Sequence, residues 1–122
     1  MNPPDTPLFV KTHDFNVWLI QHTQRFPKPL RQSYTVRLEN AAFDFEECLW
    51  MANTVRASAR REWLGNADGR LLVLRSLLRY AVDWKLLGSN QLKYAIECVD
   101  ELGRLLGAWL KGTDRKPPAL PA

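Results

Sequence analysis

Residues 34–55 read YTVRLENAAFDFEECLWMANTV, and within them Tyr34, Leu38, Ala41, Phe45, Cys48, Ala52 and Val55 recur at intervals of four, three, four, three, four and three. Residues three and four apart share a helix face, so all seven lie on one stripe. A seam sustained over three heptads needs a partner helix along its length. The spacing predicts a helix from near Leu30 to about Ala59, roughly 45 Å long at 1.5 Å per residue, the spine of a bundle or of an oligomer.

Upstream, Thr12 or Asp14 can cap a helix carrying Phe15, Trp18, Leu19 and Phe26, which Pro27-Lys28-Pro29 stops. Downstream, Gly65 and Asn66 mark a loop at residues 64–67, and Asp68 caps a third helix with Leu71, Leu74, Leu78 and Ala81 on one face. Leu72, Leu77, Tyr80, Trp84 and Leu87 lie off that stripe, which predicts burial by more than one neighbour. Gly88 closes this helix. Ser89 caps a fourth with Leu92, Ala95, Ile96, Val99, Leu102, Leu106 and Trp109, ended by Gly112. Four helices with short connections give an all-α, antiparallel up-down four-helix bundle over residues 11–112. The prolines at 3, 4 and 7 and at 117, 118 and 121 mark residues 1–10 and the basic 113–122 as flexible ends.

A chain of 122 residues, 46% apolar and 25% charged, suits one globular domain. No apolar run reaches the roughly 18 to 20 residues that cross a bilayer. Without a signal peptide the expected compartment is the cytoplasm. Cys48 and Cys98 fall on apolar stripes, the setting of buried free thiols. Neither has a second ligand at metal spacing, so no metal or other cofactor is expected.

The inventory for catalysis is thin. The histidines are His13 and His22, both on the first helix, and the Arg-before-His pattern of small four-helix ribonucleases is missing, since Arg25 follows His22. Asp44, Glu46 and Glu47 point to different helix faces and cannot share a metal. Gly65 and Gly69 lack the Lys and Ser or Thr of a nucleotide loop. These absences point to binding and away from an enzyme.

The net charge is +4, and 11 of the 17 basic residues are arginine, whose planar fork suits phosphate. From residue 54 to 79, Arg56, Arg60, Arg61, Arg70, Arg75 and Arg79 stand against only Glu62 and Asp68. Arg75 and Arg79 share a helix face. Together with Arg104, Lys111, Arg115 and Lys116 these are the candidate residues for nucleic acid or a protein partner. Binding by charge alone is largely non-specific and salt-sensitive. The alternative for Arg75 and Arg79 is pairing with Asp83 or Glu101. Gly103 and Gly107 each cost a helix roughly 1 kcal/mol relative to Ala, a penalty that close approach of a neighbouring helix, near Trp109, would offset. Whether that neighbour is within the chain or a second copy is left open by the spacing.

The stretches Leu74-Arg75-Ser76-Leu77-Leu78-Arg79-Tyr80 and Glu101-Leu102-Gly103-Arg104-Leu105-Leu106-Gly107-Ala108-Trp109-Leu110 resemble the accessory variability determinant of diversity-generating retroelements. The likeness spans residues 10–116. That family is related to four-helix proteins encoded in intervening sequences of bacterial large ribosomal RNA genes, and the Phe26-Pro27 corner is similar to theirs. The resemblance implies a bacterial or phage-encoded, barrel-shaped, positively charged homopentamer. Such an assembly binds the retroelement's reverse transcriptase and template RNA, with DNA as a second nucleic acid, and supports error-prone complementary DNA synthesis. The proline-rich ends have no counterpart in it. Two alternatives stand beside it: an intervening-sequence-type protein of the same fold without a reverse transcriptase partner, and a structural oligomer that binds no nucleic acid.

Overall fold

Pro7 lies in the first turn of helix α1 (Thr6–Thr23), where its missing N–H costs no hydrogen bond. The computed structural model describes residues 6–114, and in it this helix starts well before the cap expected at Thr12 or Asp14. Leu8 and Phe9 are buried in the core, which explains why the proline does not end the structure there. Thr12 is interior and fully buried, its hydroxyl donating to the Leu8 carbonyl at 2.7 Å.

Beyond Phe26 the chain turns through a 3-10 segment (Lys28–Leu30) and a π-helical turn (Arg31–Thr35) into α2 (Val36–Thr54). Then come α3 (Ala57–Asp83) and α4 (Ser89–Asp114). The spine is therefore shorter than expected and breaks at Val55 and Arg56, both extended, while α3 runs unbroken through residues 64–68. Gly65, Asn66 and Asp68 sit on the exposed side of α3, and Leu64 and Ala67 are completely buried on the other. Burial of that face outweighs the turn-forming tendency of the exposed residues. The sharp corner is closed by Ala57, whose φ of 52° is left-handed.

Gly88 does not take the positive φ of a helix-closing glycine. Lys85 does, at φ 54°. Gly88 instead precedes α4, its N–H donating to Oε1 of Gln91 at 3.0 Å and its carbonyl accepting from Leu92 at 2.9 Å, which ties off the first turn of the helix. Ser89 is the first residue of α4 and not its cap, and α4 continues two residues past Gly112.

Ring contacts fix the helix directions. At one end Phe9 of α1 meets Trp50 of α2 at 4.4 Å and Trp109 of α4 at 5.9 Å between centroids. At the other, Trp18 of α1 meets Tyr94 of α4 at 5.0 Å, and Tyr34 reaches α3, donating to the Leu77 carbonyl at 2.6 Å. Each helix packs against its two neighbours in an antiparallel up-down four-helix bundle. The heptad seam faces inward as read, with Tyr34, Leu38, Ala41, Phe45, Cys48 and Ala52 all buried. Leu71, Leu74, Leu78 and Ala81 of α3 close the core from the opposite side. Removing a ring such as Phe15 or Phe45, each 1% exposed, would cost about 3–5 kcal/mol.

The expectation that the residues off the first stripe are covered by more than one neighbour holds for Leu77 and Leu87, which pack on or in the core, and fails within the single chain for Leu72, Tyr80 and Trp84. Leu72 is 64% exposed, Tyr80 47% and Trp84 46%, and Ile96 of α4 is also exposed. These residues lie away from the one core that a chain of this size encloses.

Candidate nucleic-acid and partner interface

The α2–α3 corner gathers Arg56, Arg60 and Arg61 at the end of the bundle where α4 finishes. Arg60 is committed to the fold. Its Nε donates to the Ala52 carbonyl at 2.9 Å, satisfying a carbonyl that α2 leaves open at its C-terminus, and its guanidinium lies 5.7 Å from the centre of the Trp109 ring. Arg56, in extended conformation, is exposed, as is Arg61. Lys111 is exposed in the last turn of α4. Arg115 and Lys116 lie outside the described residues.

Farther along α3 the arginines separate. Arg70 is exposed near Cys48, where its positive charge opposes the effect of burial, the main cause pushing that thiol up. Arg75 pairs across to Asp100 of α4, and not with Asp83 or Glu101. Both partners are about half-exposed, so the pair contributes at most about 1 kcal/mol. Arg79 makes no ion pair with any described residue. Glu101 pairs instead with Arg104 one turn later.

Gly103 faces this network. A Cβ built there would lie 2.9 Å from Nη2 of Arg75 and 3.3 Å from Cδ2 of Leu71, so α4 approaches α3 closely at this point within one chain. Gly107 has no atom within 4 Å of its Cβ position and is exposed. Trp109 is half-buried between Phe9 and Arg60. Of the ten basic candidates, Arg56, Arg70, Arg79 and Lys111 are therefore exposed without an ion pair among the described residues, while Arg75, Arg104 and Arg60 are engaged.

Between α3 and α4, Arg75, Leu78, Arg79, Val82, Leu92, Ile96 and Val99 line an open apolar groove. Beside it, Ser76, Arg79, Tyr80 and Asp83 form a shallow polar hollow. Sequence reasoning missed Tyr80 and Trp84 as surface residues. Their four-residue spacing beside Arg79 and Lys85 was the available signal.

Among the described residues no group of three His, Cys, Asp or Glu could hold a metal ion. His22 stacks on Trp18 at 4.1 Å, and its Nδ1 lies 2.7 Å from the Trp18 carbonyl, an acceptor, so Nδ1 carries the proton. His13 is exposed on the same helix. No described helix is long and apolar enough to cross a membrane.

Comparison with known proteins adds three findings. No match was found among curated proteins. Among solved structures the chain is similar to a protein of unknown function from the S23 ribosomal protein family of Bacteroides thetaiotaomicron, with a TM-score of 0.80 over 88% of this chain and 98% of that one. Identity is 12%, so this likeness speaks for the helical bundle alone. Residues 8–113, from buried Leu8 to the last turn of α4, match the bAvd-like family, and the chain belongs to that family.

Proposed function

We propose that the protein is a non-catalytic accessory factor of a diversity-generating retroelement, binding the reverse transcriptase and the template RNA during mutagenic complementary DNA synthesis. Membership of the bAvd-like family carries this reading. Arg56, Arg70, Arg79 and Lys111, exposed and without an ion pair among the described residues, support it, because such cations are available to phosphates. In this reading the chain works in the cytoplasm as a homopentamer, and exposed Leu72, Val73 and Ile96 supply apolar surface for contacts between copies or with the enzyme. The second reading is the same basic bundle without a reverse transcriptase partner, with which the S23-family neighbour shares the fold alone.

The test is fluorescence anisotropy with a labelled single-stranded RNA across a salt series. Replacing Arg70 and Arg79 together by Glu leaves the core intact and should weaken binding at least tenfold. It should also flatten the slope of log affinity against log salt, by about 0.7 per lost phosphate contact. Unchanged affinity and slope would remove these arginines from the interface. Co-purification with a reverse transcriptase encoded beside this gene separates the two readings: retention supports the retroelement role, and failure to associate supports the second.

A further inference from the structure

Tyr80 and Trp84 stand one turn apart on α3, both nearly half-exposed, with ring centroids 5.3 Å apart. Beneath them lies Tyr34, 6.1 Å from Tyr80 and 5.1 Å from Trp84, edge-on to the indole. Tyr34 is itself held from two sides. Its hydroxyl donates to the Leu77 carbonyl, and its ring stacks on buried Phe26 at 6.4 Å. The outer two rings therefore rest on a fixed aromatic base.

The charges around them are mostly positive. Arg79 precedes Tyr80 and Lys85 follows Trp84, both exposed and without an ion pair among the described residues. Arg31 and Arg37, also exposed, lie three residues either side of Tyr34. Asp83 is the acid on the same turn, lining the hollow with Arg79 and Tyr80. Phe43 and Trp50, also exposed, lie on α2 among Asp44, Glu46 and Glu47, where phosphate is repelled.

We infer that Tyr80 and Trp84 form a stacking platform for unpaired bases of single-stranded RNA, with Arg79 and Lys85 taking the flanking phosphates. The inference rests on the nucleic-acid reading above and assigns to it a strand preference and a place. Ring faces with adjacent cations are what a single strand requires, because every base offers a π-face and stacking tolerates any sequence. A duplex keeps its bases stacked internally and cannot use the rings.

The experiment measures binding of a 12-nucleotide single-stranded RNA and of a duplex of the same length to the full chain, by anisotropy across a salt series. Trp84→Leu and Tyr80→Leu keep apolar bulk but remove a π-face, and Trp84→Phe keeps one. Each leucine variant should lose roughly 5- to 150-fold in single-strand affinity with an unchanged salt slope, since no phosphate contact is removed. Trp84→Phe should bind within about threefold of wild type, and circular dichroism confirms that each variant is folded. Duplex binding should change little in all three. Wild-type binding with leucine variants equally tight overturns the platform and leaves the arginine surface standing. A wild-type chain that binds no RNA overturns both. Leucine variants that keep RNA but lose the reverse transcriptase also overturn the platform, making this face a protein contact.

Discussion

The two helix glycines, alike in sequence, should respond differently to the same substitution. Ala at a solvent-facing helix position gains about 1 kcal/mol over Gly. Unfolding entropy near 2.1 cal/mol/K per residue amounts, over 122 residues, to roughly 0.26 kcal/mol per kelvin, so each kcal/mol moves Tm by about 4 °C. Gly107→Ala meets nothing within 4 Å and should raise Tm by that amount. Gly103→Ala displaces the tip of Arg75 and loosens its pair with Asp100, giving back up to about 1 kcal/mol, so its Tm should stay close to that of wild type. Placing Gly103→Ala in an Arg75→Ala background should restore most of the missing gain. Gly103→Leu also strikes Leu71, already 3.3 Å from the Cβ position, and should lower Tm by roughly 4–12 °C, for an overpacking cost of about 1–3 kcal/mol. Thermal melts by circular dichroism at one fixed protein concentration read these differences without interference from association. Equal shifts for Gly103→Ala and Gly107→Ala, or a Gly103→Leu variant melting with wild type, would refute the close approach of α4 to α3.

Tyr34→Phe removes the hydrogen bond to the Leu77 carbonyl and should cost about 1 kcal/mol in urea unfolding at pH 8. Burial pushes this phenol up to about 12, so the folded chain keeps a proton that the unfolded chain loses near 10. Wild-type stability is thus complete well below pH 10 and declines as pH rises towards 12, by about 1.4 kcal/mol at pH 11, where the gap to Tyr34→Phe should have closed. A gap of constant size from pH 8 to 11 would contradict the buried phenol. Cys48 is buried, and burial is the main cause holding its thiol protonated, with Arg70 opposing and Glu47 and Asp44 reinforcing. A thiol reagent should therefore modify the half-buried Cys98 first, and equal rates for the two would refute the difference in access.

The amino-acid pattern revealed the inward faces of the helices better than their ends. Leu38, Ala41, Phe45 and Ala52 on α2 and Leu71, Leu74 and Leu78 on α3 repeat with the helical period because one core buries them all. Helix ends depend on tertiary balance that a local window does not contain. Gly65, Asn66 and Asp68 favour a turn in isolation, but Leu64 and Ala67 beneath them keep α3 intact. In the site, the shared face of Arg75 and Arg79 was legible from their spacing. Their different fates were not, because the register that sets Asp100 opposite Arg75 comes from how α3 and α4 pack around Gly103. Tyr80 and Trp84 were read as buried since helical periodicity reports which side is apolar and not how many neighbours arrive to cover it.

The corner at Val55–Ala57 contains no glycine or proline, and the residues after it, Ser58-Ala59-Arg60-Arg61, suit a helix. What separates α2 from α3 is a break of three residues, Val55 and Arg56 extended and Ala57 left-handed, the last a conformation costing about 1–2 kcal/mol. Were Ala57 to relax into the right-handed well along with the two extended residues before it, α2 and α3 would merge into a rod from Val36 to Asp83, roughly 72 Å long. Such a rod would carry α3 and α4 away from their own α1 and α2 and deliver them to those of another copy, where the same side chains could rebuild the same seams. That is a domain-swapped dimer, and Ala57 is the residue at which hairpin and rod diverge.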